Sequence, residues 1–500
     1  MFRVIPNPDH LIPASNPMNS TCTGPLLTAK FTRRELLNKL SMGMGGIALS
    51  QLLSGQSQAA GGLPNLPHFA PKAKRVIFLF MSGGCSQLDS FDYKPELKKY
   101  HGTDMPESLR GDKGKALPGM AGFQNHFFLA GSQFEFTQHG QSGAWVSSMW
   151  PETAKVVDDL TFIHTMTTDA VNHDPAMIFM NSGSQIAGRP SMGSWLSYGL
   201  GSESEDLPAF ITLVSKYPVD QPLSSRLWDS GFLPTQHQGV QFRAAKDPVL
   251  YLSEPPGTNR DDTRRTIDAI KDLAAASSAP DLVESEVASR IEQYEMAFRM
   301  QTSVPEVTDL SKEPESVFDL YGPKSKEQGS FESNCILARR LAQKGVRFIQ
   351  LYHPGWDHHG QLVTKYPPQA LSADRACASL VQDLKNHGML EDTLVIWGTE
   401  FGRTSYSQGN LSKTGNFGRD HHRKCFTFWM AGAGVKKGFK YGATDELGFN
   451  IAQDAVTVND LHATMLHLLG IDHERLTYRF QGRDYRLTDL AGKVIKPILA

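Results

Sequence analysis

Short apolar runs that stop abruptly at glycine, histidine or acidic residues constrain this chain more than any other feature. Lys74-Arg75-Val76-Ile77-Phe78-Leu79-Phe80-Met81 breaks off at Ser82-Gly83-Gly84, and comparable runs cover 160–164, 209–214, 346–352, 393–398 and 426–431. Runs of this length, rich in β-branched and aromatic residues and lacking polar alternation, predict strands buried on both faces, as in a parallel sheet. Residues 333–344, 370–387 and 458–469 carry apolar side chains at helical spacing between or after these runs. The alternation predicts an α/β fold, a doubly wound, mostly parallel sheet flanked by helices. Ligands in such sheets bind beyond the carboxyl ends of the strands. The loops after Met81, His164, Tyr352 and Gly398, with the segment before Phe426, should therefore converge. Residues 215–260 are irregular and 261–300 read as charged amphipathic helices, so an irregular and helical insertion is expected at about 215–330 of a domain spanning 61–500.

The first 60 residues read differently. Thr32-Arg33-Arg34-Glu35-Leu36-Leu37 precedes a mildly apolar, glycine-rich run and the small-residue stretch Ser57-Gln58-Ala59-Ala60. This is the pattern of a twin-arginine signal region, and it predicts a periplasmic or extracellular protein. The alternative is an ordinary amphipathic helix with two chance arginines. No run reaches the roughly 20 apolar residues of a membrane span, so no transmembrane segment is expected in the mature chain. A net charge of −2 gives no basic footprint for nucleic acid. Five cysteines, widely spaced and without a C-x-x-C pair, indicate neither a zinc knuckle nor a disulfide framework.

Chemistry-bearing residues gather at the predicted strand ends. They form the clusters Ser82 to Asp92, Asn172-His173-Asp174, His353 to Gly360, and Thr399 to Thr404 followed by Gly418-Arg419-Asp420-His421-His422-Arg423. Imidazole and carboxylate without thiolate suit Zn²⁺, Mn²⁺ or Fe²⁺, and Ca²⁺ or Mg²⁺ less well. Plainer readings stand beside these: Asp174 as a helix N-cap and Asp89 and Asp92 as turn residues. Arg403, Arg419 and Arg423 could bind a phosphate or sulfate group through their planar forks or could neutralise nearby carboxylates.

Several of these motifs occur together in a known family. Met81-Ser82-Gly83-Gly84 with Asp89-Ser90-Phe91-Asp92, Arg189-Pro190-Ser191-Met192-Gly193-Ser194-Trp195, Gly398-Thr399-Glu400-Phe401-Gly402-Arg403-Thr404, Gly418-Arg419-Asp420-His421 and Asp460-Leu461-His462-Ala463-Thr464 lie along most of the chain. Through them the sequence resembles the exported domain-of-unknown-function family 1501, placed in the alkaline phosphatase and sulfatase superfamily. The resemblance implies an alkaline phosphatase-like fold and a metal site drawn from Asp89, His353, Asp357, His358, Glu400, Asp420 and His421. It also shows departures. Ser82 stands where a metal-binding Asp is expected, His173 where sulfatases carry their nucleophilic Cys, and Phe401 where the family motif has His or Asn.

The implied activity is that of an exported metal-dependent hydrolase of phosphate or sulfate esters, with a divalent metal, Zn²⁺ or Mn²⁺ in first place. Water would attack, or else Ser82, Ser86 or His173. The substrate would be a small molecule or glycan bearing phosphate or sulfate, held by Arg403, Arg419 and Arg423. A non-catalytic glycan- or partner-binding protein on the same fold is the second expectation, because Ser82 and Phe401 occupy ligand positions.

Overall fold

The computed structural model describes residues 62–500 apart from 111–116, 118, 120–121, 123, 217–222, 246, 251, 277–281, 410 and 412–416. The twin-arginine segment lies outside the described residues. A nine-stranded sheet forms the centre, built from β1 (Arg75–Met81), β2 (Leu160–Thr167), β3 (Phe210–Val214), β4 (Val240–Phe242), β5 (Phe348–His353), β6 (Thr393–Gly398), β7 (Phe426–Ala431), β8 (Phe439–Tyr441) and β9 (Val456–Thr457). The order across the sheet is β8-β2-β7-β6-β1-β5-β3-β4, with β9 also pairing β2. Every pairing is parallel except the two made by β7. The exception has a simple cause. Among its described residues, the chain between β6 and β7 holds no crossover helix, only an antiparallel ribbon of Gly402–Gln408 with Gly418–His422, so it returns antiparallel.

Side chains along β1 alternate between two cores. Ile77, Leu79 and Met81 pack toward the helices Phe331–Gln343 and Leu362–Asn386. Val76, Phe78 and Phe80 pack toward α1 (His173–Ser182), α2 (Met192–Leu200) and Val458–Leu468. Both faces are buried, which is why β1 reads as an unbroken apolar run. The helix starting at Leu362 begins eight residues before the expected 370 and runs through Pro367 and Pro368. Those prolines remove two ladder donors but do not end the helix, because its Tyr366 and Ala370 side chains are fully buried.

Residues 215–330 add the edge strand β4 beside β3 before forming the helices Arg260–Ala276, Leu282–Thr308 and Glu315–Tyr321. Cys85, Cys335, Cys377 and Cys425 are all free and buried. No helix among the described residues is long and apolar enough to cross a membrane.

Candidate metal centre

Strand register decides which loops meet. Met81 lies beside His353 and Phe80 beside Gly398, so the chain leaves β1, β5 and β6 at one level. The antiparallel β7 brings the ribbon ahead of it to the same edge, with His421 opposite Arg403. Gly83, at φ +117°, makes close approach possible there. A Cβ on it would fall 2.7 Å from the Trp356 amide nitrogen and 2.8 Å from that of Asp357.

His173, Asp357, His359 and His421 each turn one donor atom into a space where these atoms lie within 4.8 Å of one another. The outer face of each imidazole is already engaged. His173 Nδ1 lies 2.6 Å from Glu400 Oε1, His421 Nδ1 lies 2.7 Å from the Val171 carbonyl, and His359 Nδ1 is bonded to Gln408 Oε1. A carbonyl or carboxylate can only accept, so each Nδ1 carries a proton, and in its neutral form each ring points a bare Nε2 inward. The Nε2 atoms of His359 and His421 are 3.0 Å apart. Asp357 Oδ1 is 2.9 Å from His359 Nε2 and 3.4 Å from His421 Nε2, and its Oδ2 is 3.3 Å from His173 Nε2. His173 Nε2 is buried without a hydrogen-bond partner.

Two lone pairs facing each other beside a carboxylate repel unless positive charge sits between them. The donor set therefore fits a divalent metal, with three imidazole nitrogens and one carboxylate. The same surroundings also stabilise a proton on His173, which a bound metal would displace. Burial opposes protonation of His173, yet Asp357 and Glu400 on its two sides outweigh it and lift its pKa to about 9. Asp357, although burial pushes its pKa up, is held well below the usual carboxylate range by His173, His359, His421 and Arg403.

The remaining expected site residues lie around this space with other partners. Glu400 is fully buried and accepts from the Gly83 amide (2.9 and 3.2 Å), the Thr399 hydroxyl (3.0 Å) and His173, so it orients a donor from outside the cluster. Replacing Glu400 with Ala is expected to weaken metal binding by about 10–100-fold, read by competition with a chelator. Asp89 does not face the cluster. Arg419 holds its oxygens at 2.7 and 3.3 Å, and Ser86 Oγ donates to it at 2.5 Å. His353 is a core histidine between Trp356 Nε1 (3.0 Å) and Ser372 Oγ (3.1 Å), and burial pushes its pKa down to about 3.

His358 is not part of the cluster. Its ring packs against Tyr366, and burial followed by the Arg403 charge lowers its pKa to about 4. Asp420 sits at a bulge in the ribbon, where its Oδ1 accepts the His421 amide at 2.8 Å and its carboxylate fills the space that a Cβ on Gly119 would need. Ser82 is buried, with its Oγ unpaired.

Arg403 and Arg419 are not open to an anion. Arg403 clamps Asp357 Oδ1 and the carbonyls of Gly83, Gly84 and Arg419, while Arg419 holds Asp89 and the Thr404 carbonyl. The half-buried Arg423 guanidinium makes no hydrogen bond among the described residues, leaving it the free fork of the three. Asp174 is not the cap of α1. Asn172 holds that position, and Asp174 pairs with Arg226 at 2.9 Å.

His359 joins the centre although it was not among the expected ligands. In an extended loop, residues two apart share a side, and the pair 357 and 359 carries that signal. Nothing in the sequence marks Val171, whose contribution is a backbone carbonyl.

The profile of a family described as "Protein of unknown function (DUF1501)" matches residues 73–499. No curated protein matches the chain. Among solved structures, the chain is similar to the PsFucS1 sulfatase from Pseudoalteromonas sp., at 12% identity and TM-score 0.33, over 87% of this chain and 72% of that one. An alkaline phosphatase superfamily protein from Vibrio parahaemolyticus gives 11% identity and TM-score 0.31, over 81% and 68%. The alkaline phosphatase of the Antarctic bacterium TAB5 gives 11% identity and TM-score 0.30, over 80% and 99%.

Proposed function

This chain belongs to the DUF1501 family of proteins of unknown function, and we propose that it is a metal-dependent hydrolase of phosphate or sulfate esters, carried on a small molecule or a glycan. The reading rests on one observation: three imidazoles, each with Nδ1 fixed from behind, aim Nε2 at one point beside Asp357. Three nitrogens and one carboxylate favour Zn²⁺, with Mn²⁺ second, since Mn²⁺, Ca²⁺ and Mg²⁺ prefer oxygen. A divalent metal there supplies Lewis acidity toward an ester oxygen and toward water.

The chain's own groups do the rest. Arg403 keeps Asp357 ionised and oriented, Glu400 holds the Nδ1 proton of His173, and the Phe401 ring packs against His173 and His421 at 4.9 and 4.4 Å. With His173 a metal donor, attack by water replaces a covalent histidine step, and Arg423 is the remaining candidate to meet the substrate anion. The twin-arginine segment supports export, as part of the same proposal.

Metal analysis of purified protein is expected to give about one ion per chain, and chelation is expected to abolish hydrolysis of aryl phosphates or sulfates. A stable protein without metal overturns the reading. The engagement of Arg403 and Arg419 favours the second reading, a glycan- or partner-binding protein. Metal without turnover of any ester in the panel supports it.

A further inference from the structure

Beyond the edge strand β4, the helix Leu282–Thr308 stands off the sheet and encloses a cavity of about 1020 Å³ with that strand and the end of α2. Small-molecule sites occupy roughly 300–1,000 Å³, so this space would hold a sizeable ligand. None of the metal-centre residues lines it. Val214, Trp228, Leu252, Met296 and Met300 give it walls of carbon, and methionine adapts to flexible chains.

Of the charged groups at its wall, Lys271 and Glu295 pair with each other, whereas the exposed Glu292 and the half-buried Arg299 make no ion pair among the described residues. Lys271 and Arg264 both hold Glu295, and Arg299 Nε donates to the Glu205 carbonyl at 2.7 Å. His237 is buried, bonded through Nδ1 to Ser197 Oγ at 3.1 Å, and desolvation keeps it neutral. Among these described lining groups, Arg243 is the one with a buried nitrogen left without a partner. Its Nη2 donates to the Asp247 carbonyl at 3.4 Å, its Nε is buried without a partner, and no ion pair reaches it among the described residues. A guanidinium beside carbon walls is costly until an anion meets it.

We propose that this cavity binds a long-chain aliphatic carboxylate, its head on Arg243 and its chain along Trp228, Met296 and Met300. One guanidinium neutralises one negative charge, so a monoanion fits where a phosphate dianion would leave charge uncompensated. The aliphatic and thioether walls suit an alkyl chain.

Calorimetric titration of the full-length, metal-loaded protein with dodecanoate, dodecan-1-ol and dodecyltrimethylammonium tests this. Dodecanoate is expected to bind best. R243Q should weaken it about tenfold or more while leaving the alcohol unchanged, and M296W should block both. H421A should leave dodecanoate affinity intact. Absence of dodecanoate binding, equal affinity in folded R243Q, or loss of binding in H421A each overturns the proposal. The last outcome would place the carboxylate on the metal centre instead.

Discussion

Replacing His421 with alanine is expected to lower metal affinity by at least about 100-fold, beyond the usual cost of losing an outer-sphere partner. His421 contributes an inward Nε2 whose orientation the Val171 carbonyl holds from behind, 250 residues away in the chain. Its removal deletes a donor and uncouples the ribbon from the loop ahead of α1. Titration of metal-free protein with Zn²⁺ would read the loss, and thermal melting with and without metal should show the metal-dependent stabilisation shrinking. His358→Ala is the control. Its ring packs on Tyr366 outside the cluster, so folded H358A should keep its metal. Equal metal loss in the two variants would put the centre elsewhere.

Asp89→Ala is expected to cost about 3–5 kcal/mol of stability, because it strands a buried guanidinium. Asp89 and Arg419 are both fully buried, and their contact joins the loop after β1 to the ribbon before β7. Denaturant unfolding would show a lower midpoint. The double variant Asp89→Leu with Arg419→Met should recover much of the loss, since apolar groups of similar volume can replace a buried pair. If Asp89 were a metal donor instead, D89A would lose metal and the double variant would not regain it. Retained stability in D89A would show that the pair carries little.

The strands were legible because burial on both faces writes an unmistakable pattern. Thr393–Gly398 and Phe426–Ala431 coincide with their apolar runs. That β7 runs backward was not legible as a pattern, since a buried antiparallel strand looks like a parallel one. Its trace is that the described residues between 398 and 426 hold no crossover helix. At the centre, Asp357 and His421 stood out as chemistry at strand ends. Asp89, Asp420 and His353 were drawn into the same expected set, because residue type does not reveal a bulge or a buried partner. The arginines were ambiguous for the same reason. Whether a guanidinium faces ligand or carboxylate depends on contacts such as Arg419 to Asp89, made across most of the chain.

The central position of β1 sets a timetable for the whole molecule. Its neighbours are β5 and β6, at Phe348–His353 and Thr393–Gly398, so the first strand synthesised must wait for partners made near the end. Until then Val76-Ile77-Phe78-Leu79-Phe80-Met81 is an apolar segment with neither ladder nor cover. Pairing between such distant segments makes folding slow and leaves intermediates open to aggregation. A ribosome-bound chain truncated before residue 393 should therefore remain protease-sensitive and bind holdase chaperones through this segment. Protection should arrive in one late step, once β6 has emerged.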